Sequence, residues 1–505
     1  MNYAFFVLLV GILSSTLLAA DWNTGTGGNS LRNSLTTEFG PEANDVLWEG
    51  GLPSQFAQPA VIEGNIAVMS RTFNIADPLH GTLIVAHDLM TGDTLWTTEL
   101  PVTLPDTDWR SRVCAIRDGV VYATRSGNTN FAPIYALNAQ TGAELWRSDD
   151  AVDESSTESP VFAENGDLII GGFTFLLRIN HTNGDRVWRT TRTSPTSGGS
   201  EAVVFDNHVY LWEASPQGPK VTAFNLESGA RLYSSVALGA GFIQQVSLFV
   251  GSDGTVYAPR SQNNESTDYL IALDDDGASL VERWRSPLGF VPFASFGEGP
   301  DGSIYSYTRD HRVLRINSGS GAGIDTSAVF SSDFYQPRIA VDAHGTIFLT
   351  NGGFSQGMLL SFNQDLTLRW SLDVPNINIG APAIGNGGTM IICGIGTNVI
   401  AFRGTSPNAV DDEVVSNVTT PMLNQNYPNP FNASTMISFE LEHAAHVNLT
   451  VYNTLGMQVA TLVDRVLGEG NQTVNFDASG LASGNYYCRL LIDGRTETKS
   501  MILLK

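Results

Sequence analysis

A unit made of a strand, a tight turn and a second strand returns every 40 to 51 residues through the middle of this 505-residue chain. Self-similarity of that period restricts the fold to architectures built from repeated supersecondary units. Ile134-Tyr-Ala-Leu-Asn-Ala-Gln-Thr-Gly-Ala-Glu-Leu-Trp146 is a clear copy, as are Leu83 to Trp96 and Leu176 to Trp188. Val221 to Tyr233, Leu270 to Trp284, Val313 to Phe330 and Leu359 to Trp370 are weaker copies. In each, an alternating strand meets a glycine turn, most often Thr-Gly, Asn-Gly or Ser-Gly. Glycine supplies a positive φ there at no steric cost. The return strand closes on a large aromatic, and another apolar hairpin precedes every copy.

Four short antiparallel strands per unit predict a β-propeller blade. The closing aromatics are Trp48, Trp96, Trp146, Trp188, Tyr233, Trp284, Phe330 and Trp370. Trp48 has no hairpins before it, and Ala381 to Phe402 holds three strands and no closing aromatic. Val46 to Trp48 is therefore expected to supply the outer strand of the last blade, which closes the ring and removes exposed sheet edges. The reading is an all-β chain with an eight-bladed propeller over 44–403, with seven blades as the alternative. The Phe330 unit is the degenerate one. The tryptophans Trp48, Trp96, Trp146, Trp188, Trp284 and Trp370 are read as docking residues between neighbouring blades.

The Ala-Leu-Asn-x-x-Thr-Gly-x-x-x-Trp pattern resembles the pyrroloquinoline-quinone-type (PQQ-like) propeller repeat. That family includes quinone-dependent alcohol dehydrogenases and a non-catalytic propeller of outer-membrane protein assembly. It shares a four-stranded-blade architecture with WD40 proteins. The resemblance implies fold more than activity. The dehydrogenases carry two adjacent cysteines, whereas Cys114, Cys393 and Cys488 stand apart, and no stretch matches the dehydrogenases' calcium ligands or catalytic Asp. No cofactor is therefore predicted. Nor is there a His-Glu-x-x-His, Cys-x-x-Cys or Gly-x-Ser-x-Gly spacing. Asp274-Asp-Asp-Gly277 falls at a tight-turn position and lacks the later Glu of an EF-hand loop. No catalytic or metal residue is named. A binding or scaffold role is the favoured reading, and a quinoprotein-like oxidoreductase, or another enzyme with an unrecognised site on the long-loop face, is the alternative.

Tight turns are expected on one face of the ring and longer connections on the other, where propellers place binding residues. The candidates on those connections are Arg71, Asp77, His80, Arg125 and Asn128, with the acidic run Asp149, Asp150, Asp153 and Glu154. The expected ligand is an extracellular protein or glycan. Net charge is −24. Such a surface repels nucleic acid and anionic lipid.

The end of the chain carries a different signature. Met422-Leu-Asn-Gln-Asn-Tyr-Pro-Asn-Pro-Phe-Asn432 opens a stretch of short strands that ends in Lys499-Ser-Met-Ile-Leu-Leu-Lys505. Residues 421–505 resemble the type A C-terminal sorting domain of type IX secretion substrates. By that resemblance Tyr427, Pro428, Asn429, Pro430 and Phe431 open the signal, and Gly484, Tyr486, Lys499 and Lys505 belong to its end. It implies passage through the periplasm, contact with the type IX machinery, and release or attachment at the cell surface. Alternating strands predict a small immunoglobulin-like sandwich. Residues 404–420 are polar and aperiodic and read as a linker. Residues 1–20 read as a signal peptide, and 21–43 as a lead-in of no assigned role. No later segment reaches 18 apolar residues in a row, so no transmembrane segment is expected in the mature chain.

Overall fold

The computed structural model describes residues 22–50, 56–72, 82–102, 111–125, 131–153, 160–193, 201–239, 247–261, 268–291, 294–330, 336–353, 356–374, 377, 380–394 and 399–405. In the C-terminal part it describes 423, 426, 428–441, 445–453, 458–468, 470–492 and 495–504. The signal peptide, most of the linker, Asp77, His80, Asn128, Glu154, Tyr427 and Lys505 lie outside the described residues. The chain divides into two compact units, Met1–Asn408 and Ala409–Lys505.

Eight antiparallel sheets make up the first unit among the described residues. The second sheet is typical: Arg112–Arg117, Val120–Thr124, Ala132–Asn138 and Glu144–Val152, hydrogen-bonded in chain order. The other complete four-strand runs begin at Val61, Val161, Val203, Phe249, Gly297 and Arg338. The eighth sheet joins Ala383–Ile384, Met390–Ile392 and Val399–Phe402 to Val46–Gly50. Trp48 stands opposite Ala401 and Gly50 opposite Val399, the pairing expected for ring closure. Each sheet shares a core with the next. Val61, Val68 and Trp96 pack with Val113, Ile116 and Tyr135. Ile391 and Phe402 of the eighth sheet share one cluster with Ile62 and Leu89 of the first.

The closing tryptophans tie neighbouring sheets together through a hydrogen bond and a stacked turn. Trp48, Trp96, Trp146, Trp188 and Trp284 donate from Nε1 to Leu89, Ala139, His181, Leu226 and Ser318 carbonyls of the following sheet, at 2.8, 2.8, 3.1, 3.0 and 2.7 Å. Each indole also covers the turn glycine of that sheet. Gly142 has φ 70°, and a Cβ there would lie 2.5 Å from Trp96. This position thus demands glycine twice, for its backbone and for the ring above it. Trp370 faces a sheet whose third and fourth strands are not joined by a hairpin. Its Nε1 is buried without a hydrogen-bond partner among the described residues, and its ring stacks 6.1 Å from Phe402.

In all eight outer strands the residue before the docking position lies in a β-bulge, as at Leu95 between Thr94 and Trp96. A bulge bends and twists an edge strand, which hinders pairing with another chain.

The sixth sheet departs from expectation. Strand register places Asp325, not Phe330, opposite Arg315 at the docking position, and Asp325 Oδ2 lies 2.9 Å from Arg315 Nη1. Phe330 lies beyond the strand Gly323–Thr326, and its N–H donates to the His311 carbonyl. The shortened strand ends before the aromatic can reach the docking position. Cys114, Cys393 and Cys488 are buried, and no disulfide joins them.

The second unit has two sheets. Ser434–Leu441 pairs with Gly470–Asp477, and Gln458–Leu467, Ala445–Asn453, Gly484–Ile492 and Arg495–Leu503 form the other in that spatial order. Both contribute to one core that includes Ile437, Phe439, Leu449, Val451, Phe476, Leu490 and Leu503. The opening and closing motifs meet here. Phe431 N–H donates to the Ile502 carbonyl, and Leu504 N–H donates to Phe431, both at 2.8 Å. Asn429 Oδ1 accepts the Ile502 N–H at 2.8 Å.

Candidate binding face

The described candidates on the long-connection side form the anchored base of the loops. Arg71 and Arg125 stand at the ends of second strands. Each is five residues beyond Ile66 or Val120, which pair with the turn residues Asp88 and Asn138. Glu213 is five beyond His208, which pairs with Asn225. Arg260 ends the second strand of the fifth sheet. All four are fully buried, at 1% exposure or less.

The side chains of Arg125 and Glu213 hold the link arriving from the preceding sheet. Arg125 Nη1 donates to the Leu100 carbonyl at 2.7 Å and lies 3.9 Å from Glu99. Glu213 accepts the Thr193 N–H at 3.2 Å and two bonds from Arg231 at 2.7 and 3.1 Å. Arg192 donates to the Gly172 carbonyl at 2.7 Å and to the Trp212 carbonyl. Burial lowers the Arg192 guanidinium to about 10 and also pushes Arg71 and Arg260 down. Burial would raise the Glu213 carboxyl, but its Arg231 and Thr193 donors outweigh that and hold it below the ordinary range.

The acidic run does not lie wholly on a connection between sheets. Asp149 and Asp150 lie within the strand Glu144–Val152. Asp149 is exposed and Asp150 is buried. Asp150 accepts bonds from Arg186, with Nη2 at 2.6 Å, and from Arg189 at 3.0 Å, both on the third sheet. Burial acts to raise its carboxyl, and the two guanidiniums hold it low. Asp153 is buried and accepts the Phe173 N–H at 2.9 Å. Asp149, Asp150 and Asp153 are thus brought to one junction between the second and third sheets. The Asp274–Asp276 run is likewise occupied by the protein. Asp274 Oδ2 accepts from Arg283 at 3.1 Å, Asp275 takes two tyrosine hydroxyls, and Asp276 caps its own turn.

The lead-in, to which sequence reading assigned nothing, fills the axis. Amides at or next to the ends of seven successive first strands donate to it. Ile62 and Ile116 reach the Trp22 and Asn23 carbonyls at 2.8 and 2.9 Å. Phe162 N–H reaches Ser30 Oγ at 3.0 Å. Val204, Val250, Glu298 and Val341 reach the Ser30, Leu31, Asn33 and Ser34 carbonyls at 3.3, 2.8, 2.8 and 2.8 Å. The Thr405 N–H, just after the third strand of the eighth sheet, donates to Phe39 at 3.2 Å. A signal was present in the sequence: Thr24, Thr26, Asn29, Ser30, Asn33 and Ser34 offer hydroxyls and amides without periodicity. Such residues suit a buried irregular segment that must satisfy backbone groups.

Residues 80–324 match the family described as outer membrane protein assembly factor BamB, and 425–504 match the secretion system C-terminal sorting domain. The chain is a PQQ-like propeller repeat protein with a type IX sorting domain. It is therefore a secreted or cell-surface protein. No helix among the described residues is long and apolar enough to cross a membrane. Among solved structures, the Dos1 propeller aligns at TM-score 0.54 and 9% identity, over 73% of this chain and 97% of its own. Quinohemoprotein alcohol dehydrogenase ADHIIG from Pseudomonas putida HK5 aligns at 0.52 and 10%, over 80% and 83%. A europium-containing methanol dehydrogenase aligns at 0.50 and 13%, over 75% and 90%. At such identities the likeness is one of fold. No curated protein matches the sequence.

This PQQ-like chain has no adjacent cysteines. Among the described residues no three His, Cys, Asp or Glu side chains converge as metal ligands.

Proposed function

We propose that this protein is an exported, non-enzymatic binding or scaffold propeller that presents its long connections to an extracellular protein or glycan. The observation that carries this reading is the set of buried charged residues Arg71, Arg125, Glu213 and Arg260 beneath those connections, two of which, Arg125 and Glu213, bond the incoming link. A rigid, stapled base is what a loop-borne binding surface needs. The axial segment supports the same polarity, because the first-strand amides that donate to its backbone lie near the tight-turn ends. Eight sheets with successive shared cores support eight blades over seven. The two-sheet C-terminal unit supports an immunoglobulin-like sandwich, with 404–420 as linker.

Binding of purified 21–403 to glycan arrays and to surface extracts of the producing cells tests this. Retention lost on charge-neutral replacement of the loops 73–81 and 126–130, with unchanged thermal stability, is the expected result. The alternative is an oxidoreductase on the same face. Dye-linked alcohol oxidation with added pyrroloquinoline quinone and calcium would favour it, and the expected outcome is no turnover above the buffer rate.

A further inference from the structure

The axial segment does more than fill space: it is held as a peptide ligand is held. Its bonds to the ring's backbone amides run in chain order past the first strands, with at least one bond to each of seven successive sheets, in the manner of a peptide added to open strand edges. Side chains add specificity. Asn33 Nδ2 donates to Glu298 Oε2 at 2.7 Å, Arg32 Nε donates to the Ala202 carbonyl at 2.9 Å, and Gly40 N–H donates to Asp342 Oδ2 at 3.0 Å. From the ring, Arg338 Nη1 donates to Thr26 Oγ1 at 3.0 Å. Trp22, Arg32, Asn33 and Ser34 are all at least 98% buried.

Two further features separate this segment from an ordinary lead-in. Arg32 and Ser34 adopt φ of 55° and 58°, a left-handed conformation that side-chain-bearing residues avoid unless their surroundings impose it. The channel therefore dictates the segment's shape. The segment also joins the ring through Glu42, Ala43 and Asn44, which are exposed. The covalent tether thus lies apart from the recognition contacts.

We propose that the axis of this propeller is a peptide-binding channel whose resident ligand is the chain's own segment 22–40, separable from the ring and able to bind it in trans. The tether serves to raise its effective concentration. The ligand class is a short irregular peptide that offers one carbonyl or hydroxyl acceptor per sheet, an arginine and an asparagine in succession, and an anchoring tryptophan.

The test begins with the full-length protein carrying a specific protease site in place of Glu42–Asn44. After cleavage, the freed segment is expected to co-elute with the ring on gel filtration and to leave only in denaturant. After stripping and refolding, fluorescent synthetic 22–40 is expected to bind and to raise Tm by more than about 5 °C. Peptides with Arg32→Ala or Asn33→Ala are expected to bind at least ~10-fold more weakly, as loss of a buried charged or amide hydrogen bond implies. Dissociation of the freed segment in native buffer with Tm unchanged overturns the proposal. So does a refolded ring that ignores the peptide, or one that takes a scrambled sequence equally well. Should the stripped ring fail to refold, retention or loss of the freed segment in native buffer decides alone.

Discussion

Tyr233 donates its hydroxyl hydrogen to Asp275 of the following sheet, with oxygen separations of 2.7 Å to Oδ1 and 2.9 Å to Oδ2. The fourth outer strand thus replaces the indole-to-carbonyl tie of its neighbours with a phenol-to-carboxylate tie. Tyr210 shares the same carboxylate at 2.7 Å. Tyr233→Phe keeps the ring and removes the bond. It is expected to lower stability by about 1.5–3 kcal/mol, the range for a bond to a charged group, measured by urea unfolding of full-length protein. A change within error would mean that the ring contact alone docks these sheets.

The two demands on the turn glycine can be separated. Gly119 has φ 76° with nothing within 4 Å of a new Cβ, while Gly142 has φ 70° beneath Trp96. Gly119→Ala should cost about 1–2 kcal/mol, the left-handed penalty alone. Gly142→Ala should cost about 1–3 kcal/mol more, because the indole must also move. Equal losses at the two sites, read from thermal unfolding, would show that the tryptophan yields freely.

Acid should weaken the third sheet in a defined way. Asp167 is buried and bonded to Arg178 Nε and His181 Nδ1, each at 2.9 Å. Burial acts to raise its carboxyl, but His181, Asn165 and Arg178 hold it below the ordinary range. A depressed folded-state pKa contributes stability above the unfolded value near 3.9, and that contribution is lost as pH falls toward the folded value. Asp167→Asn should destabilise at pH 7 by about 3 kcal/mol, the lower end for breaking one side of a buried pair, since Glu227 still holds Arg178. The gap between wild type and variant should narrow on going from pH 6 to pH 3. A constant gap would place the effect in packing rather than charge.

Export can be read independently of binding. Removing 421–505 should leave a folded propeller that accumulates in the periplasm of a type IX host, followed by cell fractionation. Phe431→Ala is expected to lower the stability of the second unit by about 3–5 kcal/mol, as loss of a buried Phe does, because its ring sits in that core at 2% exposure. Surface delivery of the truncated chain would contradict the sorting role.

Much of the first unit was legible because it is written locally and repeatedly. The Thr-Gly turn and the tryptophan four residues later, as at Gly142 and Trp146, announce a hairpin and its docking residue within one short window. The missing outer strand of the last unit pointed to Val46 to Trp48 by simple bookkeeping, and the strand found there runs over Val46–Gly50. The bulge at Leu95 or Leu145 was not legible, since a bulge is a property of paired register rather than of one strand. Asp325 was not legible because the repeat closes on aromatics elsewhere, and the shortened strand Gly323–Thr326 puts a carboxylate at the docking position instead. Arg71 and Arg125 looked like loop ligands because they are charged and flank irregular sequence. Their burial depends on the link from another sheet, which no local pattern reveals. The axial role of 22–40 was hidden for the same reason, as its partners are spread over most of the first unit.

The seam between Val46–Gly50 and Val399–Phe402 has a consequence in time. The first strand of the ring to be made is the last to find its neighbour. A chain that has delivered seven sheets is still unfinished: Trp48 has no strand to lie beside, and the eighth sheet has no outer edge. Contacts so distant in sequence form late and slowly. The interval before Phe402 arrives is when open edges and apolar faces stand exposed, and it is there that this passenger is most vulnerable to misassembly.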